Sequence, residues 1–340
     1  MSRARDYKWL VLGCGSIGRR HIRNLLALGA NRVVAFDPRN DRREEVRSQC
    51  AVQVFEYIEQ VWQEHPQVAI IATPTSLHLP LALQAARRGC HLFIEKPVAD
   101  SLAGLDQLFD EVRRSGLITL VGCNMRFHPG IAQTRRLIEE GAAGKVTSVL
   151  AQVGQYLPNW HPGEDYRQTY SARKSQGGGI VLDAIHEIDY VRWFLGEVKL
   201  VAAFCGKLSR IEVDVEDTAA ILMRTHSGAI AEVHLDYVQR VYSRTCQVIG
   251  EEGSIFWDFR TEEVRWYSAV TDKWQVFPNP PGWRANQMYL DELRHFMACL
   301  EGRETPMLDV FEAAQVLEVA LAAKRSSDTG ASVPVKMSHS

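Results

Sequence analysis

A six-residue run, Gly13-Cys14-Gly15-Ser16-Ile17-Gly18, constrains this chain more than any other feature. It follows the short apolar stretch Trp9 to Leu12 and opens a segment, Ser16 to Leu28, whose apolar residues recur at helical spacing before Gly29. That order predicts a strand, a tight turn and a helix. The three glycines then have separate tasks: the first permits the turn, the second lets backbone approach a ligand, and the third lets helix and strand pack closely. The helix N-terminus at such a turn presents unpaired N–H groups and positive dipole to a pyrophosphate. Gly13, Gly15, Ser16, Ile17 and Gly18 are therefore expected contacts of a dinucleotide.

The alternation continues along the chain. Strands are expected at Arg32 to Phe36, Val68 to Ala72, His91 to Ile94 and Leu117 to Val121, with helices at Asp41 to Cys50, Leu77 to Arg88 and Ser101 to Arg114. Units of this length imply a parallel sheet covered on both faces. The strand ending at Phe36 leads into Asp37, where a carboxylate accepts ribose hydroxyls of the adenosine half and repels a 2′-phosphate. NAD is the expected cofactor, and Arg39 close by keeps NADP as the alternative.

Beyond Gly122 the pattern changes. A helix at Ile131 to Glu140 and a strand at Val146 to Val153 precede a polar, aromatic stretch, 155–176, and then a helix from about Ile180 to Leu195. Six strand candidates follow, at Lys199 to Cys205, Asp217 to Arg224, Ala229 to Val238, Ser243 to Gly250, Ser254 to Arg260 and Glu263 to Ser268. Short connections such as His226-Ser227-Gly228 make this sheet mainly antiparallel. The end returns to helix, at Gln287 to Leu300 and Val310 to Ser327. The expected fold class is α/β: a nucleotide-binding domain over 1–123, then an α/β domain with a mainly antiparallel sheet over 124–340.

Composition narrows the function. The net charge of −2, from 39 Lys+Arg against 41 Asp+Glu, leaves no electrostatic footprint for nucleic acid or anionic lipid. No apolar run has the length of a membrane span, and Met1 to Leu12 lacks the core of an export leader, so no membrane partner and a cytoplasmic location are expected. The seven cysteines form no Cys-x-x-Cys pair and no Cys/His cluster at zinc spacing, so they read as small buried hydrophobes and no metal is expected.

Two further strand ends should face the same ligand, because ligands in such sheets sit beyond the carboxyl ends of the strands. One carries Thr73 and Pro74 with His78; the other carries Glu95-Lys96-Pro97. Thr73 and Pro74 suit contacts to ribose and nicotinamide, with a helix-capping turn as an equal account. His78 and Glu95 join the candidate cofactor contacts, although the pattern around His78 suits a structural role. The Lys96 ammonium beside a nicotinamide would stabilise the alkoxide that develops as hydride leaves. After the glycine run 177–179, Asp183, His186 and Asp189 recur at three-residue spacing, on one face of a continuous helix. An imidazole there can exchange a proton with a hydroxyl, oriented by a carboxylate; a surface or capping arrangement is the plainer account. In the stretch 155–176, Tyr156, Trp160, His161, Tyr166, Arg167 and Lys174 suit a sugar face or an anionic group, and equally an arm that packs on a neighbouring subunit.

Five segments stand in order: GCGSIG at 13–18, ATPTSLH at 72–78, EKP at 95–97, GCNMRFHP at 122–129 and GGGIVLDAIHEID at 177–189. Together they resemble the glucose-fructose oxidoreductase and inositol 2-dehydrogenase family (Gfo/Idh/MocA) over nearly the whole chain. The resemblance implies a Rossmann domain, then an α/β domain whose large open sheet serves oligomer contacts, so a homodimer or homotetramer is expected. It implies that Lys96 matches the catalytic lysine, His186 the proton-transfer histidine and Asp183 its supporting carboxylate. Asn124 and Arg126 match positions near substrate and nicotinamide. The Asp-to-His spacing is three here and four in the family. The implied activity is hydride transfer between NAD(H) and a secondary alcohol or ketone of a sugar, sugar derivative or polyol. It requires Lys96 and His186 to meet one dinucleotide. The segment HPGEDYRQTYSARKSQGGG also resembles members associated with cell-surface sugar metabolism. The alternatives are a glycoside-cleaving member with transient redox, or a silent nucleotide-binding regulator that would need neither Lys96 nor His186.

Overall fold

Trp9–Leu12 (β1) is apolar and buried along its whole length, as a parallel strand covered on both faces must be. The computed structural model, which describes residues 3–160 and 163–336, continues from β1 into α1 (Ser16–Ala27), β2 (Val33–Phe36), α2 (Asn40–Gln49), β3 (Gln53–Phe55) and α3 (Ile58–Trp62). Next come β4 (Val68–Ile71), α4 (His78–Ala86), β5 (His91–Glu95), α5 (Leu105–Ser115) and β6 (Thr119–Gly122). All six strands are parallel, in the order β3-β2-β1-β4-β5-β6, which is the doubly wound dinucleotide-binding arrangement. Helix α1 buries Gly18, His21, Ile22 and Leu25, one stripe at helical spacing. It stops at Gly29, whose φ of +86° suits a glycine cap. Helix α5 starts at Leu105 instead of Ser101 because Gly104, at φ +84°, turns the chain just before it.

The second sheet is larger. It follows α6 (Pro129–Glu139), β7 (Val146–Gly154), α7 (Ile180–Asp183) and α8 (His186–Leu195), with β8 (Val198–Gly206), β9 (Thr218–Thr225), β10 (Ile230–Asp236), β11 (Ser243–Gly250), β12 (Gly253–Asp258), β13 (Glu263–Ser268) and β14 (Lys273–Pro278). After α9 (Asn286–Leu300) and α10 (Val310–Thr329), the short β15 (Val333–Pro334) completes it. The order is β14-β13-β12-β11-β7-β10-β9-β8-β15; β7 and β10 run parallel and the other neighbours antiparallel. One face is packed and the other open, so β9 alternates: Ala219, Ile221 and Met223 are buried, while Ala220 and Leu222 point outward. Leu150 and Phe204 share the open face with Leu222.

Contacts divide the chain into two compact units, Met1–Asn124 with Ala285–Ala314, and Met125–Arg284 with Gln315–Ser340. The division into 1–123 and 124–340 drawn from the sequence is linear, whereas the first unit is discontinuous. Helix α9 belongs to its core: Phe296 meets Trp9 and Phe93 edge-on at 6.0 and 5.7 Å, and Leu293 and Met297 pack beside it.

Candidate functional site

In the first unit, the carboxyl ends of β2, β1, β4, β5 and β6 carry Asp37, Gly13, Thr73, Lys96 and Asn124 respectively. This is the edge at which sheets of this topology bind ligands. The glycine turn is built as its sequence implies. Gly13 has φ +95°, and a Cβ there would stand 2.5 Å from the Ala72 carbonyl oxygen. A Cβ on Gly18 would come within 1.8 Å of the Gly13 oxygen, so α1 can approach the turn only without a side chain. Gly15 differs: its Cβ would meet only the Arg42 guanidinium, at 3.6 Å, which leaves a cradle over the N-terminus of α1. Ser16 opens that helix, and Ile17 packs against the core.

Asp37 is buried and fixed. Its Oδ2 accepts the Cys14 N–H at 2.7 Å and its Oδ1 accepts the Arg39 N–H at 2.9 Å. The Arg42 guanidinium stands 3.7 Å from Oδ2, a cation that the sequence reading passed over. The Arg39 side chain is exposed and paired with Asp41. Asp37 also raises the neighbouring Cys14 thiol, adding to the dominant effect of burial and lifting it to about 12. The Thr73 hydroxyl is buried without a hydrogen-bond partner beside this turn. An open glycine, an anchored carboxylate and an unspent hydroxyl together fit a dinucleotide with ribose hydroxyls.

His78 clamps two of these turns: its Nε2 lies 2.9 Å from the Thr73 oxygen and its Nδ1 2.7 Å from the Pro97 oxygen. It is fully buried, and burial holds it below the ordinary imidazole range despite both carbonyls. Pro74 begins the turn that α4 continues. Glu95 points inward, its Oε1 at 2.6 Å from His21 Nε2 and its Oε2 accepting the Lys96 N–H at 3.3 Å. Lys96 itself is half-buried and precedes a cis peptide to Pro97. Asn124 is buried and hydrogen-bonded to Tyr289 of α9.

In the second unit the helix expected over 180–195 is broken. Ala184 (φ −96°, ψ +35°) ends α7, and His186 starts α8, so Asp183 and His186 do not lie on one continuous helix. The Asp183 carboxylate gathers three hydroxyls, accepting from Tyr170 at 2.6 Å, Ser171 at 2.7 Å and Tyr237 at 3.0 Å. Burial first, and then the charge of Asp183, raise the Tyr237 phenol well above its ordinary range, which keeps it a donor. The glycine run makes this possible: a Cβ on Gly178 would strike the Tyr170 oxygen at 2.2 Å, and Gly179 sits at φ +110°. Along α8, Asp189 accepts from Arg126 Nε and Nη2 at 2.9 and 2.7 Å, and Glu187 holds Arg244 at 2.6 and 3.1 Å. Arg126 also lies over the Trp193 ring.

The segment 155–176 splits in two. Trp160 packs edge-on against Tyr237 and thereby joins the Asp183 cluster. Tyr166, Arg167 and Lys174 are tied instead to 212–214: the Tyr166 hydroxyl accepts the Glu212 N–H, Arg167 pairs with Glu212 and Asp165, and the Lys174 N–H donates to Asp214. Tyr156 lies under Arg240, 3.8 Å from its ring centre. His161 lies outside the described residues. Sequence reasoning missed Tyr237 as a partner of Asp183 and His21 as a partner of Glu95. The only signal for His21 was a polar residue on the buried stripe of α1.

The first unit is thus of the dinucleotide-binding class. The chain belongs to the Gfo/Idh/MocA oxidoreductases: residues 7–123 match the oxidoreductase family with an NAD-binding Rossmann fold, and residues 131–256 match the C-terminal domain of that family. It is 30% identical to scyllo-inositol 2-dehydrogenase (NAD(+)) of Bacillus subtilis, over 96% of this chain and 95% of that one. Myo-inositol 2-dehydrogenase of Thermotoga maritima is 28% identical over 96% and 98%. Levoglucosan dehydrogenase in complex with NADH shares the fold at a TM-score of 0.88 and 22% identity, over 98% of this chain and 100% of that one.

Proposed function

We propose that this oxidoreductase moves a hydride between NAD(H) and a carbon bearing a secondary alcohol or ketone in a sugar, sugar derivative or polyol. The observation that carries this reading is the row of Asp37, Gly13, Thr73, Lys96 and Asn124 on adjacent parallel strand ends, with the open cradle at Gly15. The relatives named for inositols and levoglucosan support the substrate class. The nicotinamide, when bound, supplies the two-electron acceptor. Asp37 takes the ribose hydroxyls, which favours NAD. The Lys96 ammonium holds the substrate oxygen and stabilises its developing negative charge. His186 takes the hydroxyl proton during oxidation and returns it during reduction. Asp183, anchored by its three hydroxyls, fixes α7 and with it the start of α8, where His186 stands. The open sheet face with Phe204 and Leu222 takes a second copy of the chain, which light scattering would report as a dimer or tetramer.

Lys96→Met and His186→Ala test the chemistry. NAD should still bind with ordinary affinity, while turnover falls by about a hundredfold or more in each. Near-normal turnover in both would overturn the assignment. The substrate class is read from reduced-nicotinamide absorbance over polyols, uronic acids and amino sugars.

A further inference from the structure

The pair formed by His21 and Glu95 is buried in the first unit, His21 completely and Glu95 almost so, and its imidazole has no part in binding as described so far. His21 sits on α1, the helix that starts at the glycine turn; Glu95 is the last residue of β5, directly before Lys96. The His21 side chain is inaccessible, packed edge-on against Phe93 at 5.0 Å, and its Nε2 meets Glu95 Oε1 at 2.6 Å. The other carboxylate oxygen accepts the Lys96 N–H. A Cβ on Gly122 would stand 3.2 Å from that oxygen, so β6 closes the remaining side. The charged and titratable groups facing Glu95 are His21 from α1, His78 from α4, Lys96 from its own turn and Tyr289 from α9. Burial pushes the carboxyl up, but the hydrogen bond from His21 and the nearby charge of Lys96 hold it below the ordinary carboxylate range. A buried anion therefore stands at the turn that carries the lysine, and one hydrogen bond joins it to the helix that starts at the glycine turn.

We propose that His21 is a positioning residue for Lys96: through Glu95 it ties the cofactor-facing helix to the turn that carries the ammonium, and it keeps a carboxylate in place beside that turn. The proposal rests on Lys96 acting at the substrate oxygen. Without the imidazole N–H, the enclosed carboxylate loses its strongest donor and takes up a proton or rotates. In either case the Lys96 N–H loses its anionic acceptor and the ammonium loses the attraction of the Glu95 charge.

The test compares His21→Leu, His21→Gln and Glu95→Gln in the full chain, with Lys96→Met alongside. Glutamine at position 21 can still donate to Glu95 and leucine cannot. His21→Leu should lower kcat by about tenfold or more and leave the Kd for NAD nearly unchanged, and His21→Gln should restore most of the loss. In Glu95→Gln the alkaline limb of the kcat/KM profile should move to lower pH, because an ammonium that no longer feels the Glu95 charge releases its proton more readily. If Lys96→Met turns over normally, the catalytic reading fails and this one with it. If Lys96→Met is inactive and His21→Leu keeps a normal kcat, the positioning role alone is overturned. Should His21→Leu fail to fold, an unmoved alkaline limb in Glu95→Gln overturns it.

Discussion

Three glycines in one turn are unequal in what they can lose. Gly18→Ala would force a methyl group to within 1.8 Å of a backbone oxygen, so α1 must move away from β1 and the first unit should melt at a lower temperature. Gly15, at φ −64°, accepts a side chain without backbone strain, and its Cβ would touch only the flexible end of Arg42. Gly15→Ala should therefore fold with a nearly unchanged Tm and bind NAD about tenfold or more weakly, because the methyl group occupies the cradle. Calorimetry and titration calorimetry on the two variants would check this, and a loss of fold in Gly15→Ala would show that the cradle is a packing feature. Asp37 sets the other limit. Asp37→Asn keeps an oxygen for the Cys14 N–H and removes the charge that repels a 2′-phosphate, leaving Arg42 and the exposed Arg39 at the end of β2. The ratio of kcat/KM for NADP over NAD should rise by about tenfold, roughly 1.4 kcal/mol of discrimination. A ratio that does not move would mean that Asp37 serves only to hold the turn.

At the scale of elements, the segment between α7 and α8 shows what holds a helix in two pieces. Tyr237→Phe removes one of the three hydroxyls on Asp183 without changing the shape of the buried ring. It should cost about 1–2 kcal/mol of stability in urea unfolding, the usual penalty for a buried acceptor that loses one donor. No measurable cost would mean that Tyr170 and Ser171 suffice. The same segment marks a boundary of what the sequence makes legible. The parallel strands of the first unit were readable because burial on both faces demands unbroken apolar runs, as in Val68–Ile71, and glycines punctuate the helices. The break at Ala184 carries neither glycine nor proline. It arises because Asp183 turns toward residues 12, 13 and 54 positions away, and only tertiary structure supplies those partners. Strand β14 was also unreadable: Lys273–Pro278 is an exposed edge with no half-buried alternation. Helix α9 was legible as a helix, but an apolar face carries no record of which core it joins. The strand-end residues of the first unit follow a general rule of sheet topology, whereas the partners of Glu95 and Asp183 follow from packing peculiar to this chain.

For the molecule as a whole, buried neutral imidazoles govern how it meets acid. His128 accepts the Gly130 N–H on Nδ1 at 3.0 Å as the cap of α6, inside a box of Trp257, Phe259 and Trp283. Burial, reinforced by the charge of Arg244, pushes it from 6.5 down to about 3. Protonation would also take away the lone pair that caps the helix. Between those two values the unfolded chain binds a proton that the folded chain refuses, so stability is complete above 6.5 and is lost as the pH falls. His78 and His91 are likewise lowered by burial and act in the same direction; His91 accepts the Ile118 N–H at 2.9 Å. His234 opposes them. Its hydrogen bond to Asp236 raises it, so its contribution is present below 6.5 and fades as the pH rises through its folded value; being half-exposed, it is screened and small. The net expectation is a urea midpoint that falls from pH 7 to pH 5, with His128 supplying at most about 1.4 kcal/mol per pH unit. His128→Asn keeps an oxygen to cap α6 and removes the titrating ring. It should be less stable than the wild type at pH 7, because the aromatic box loses a partner, yet lose less on going to pH 5. Parallel pH dependences in the two proteins would mean that His128 takes up its proton as readily in the folded state as in the unfolded one.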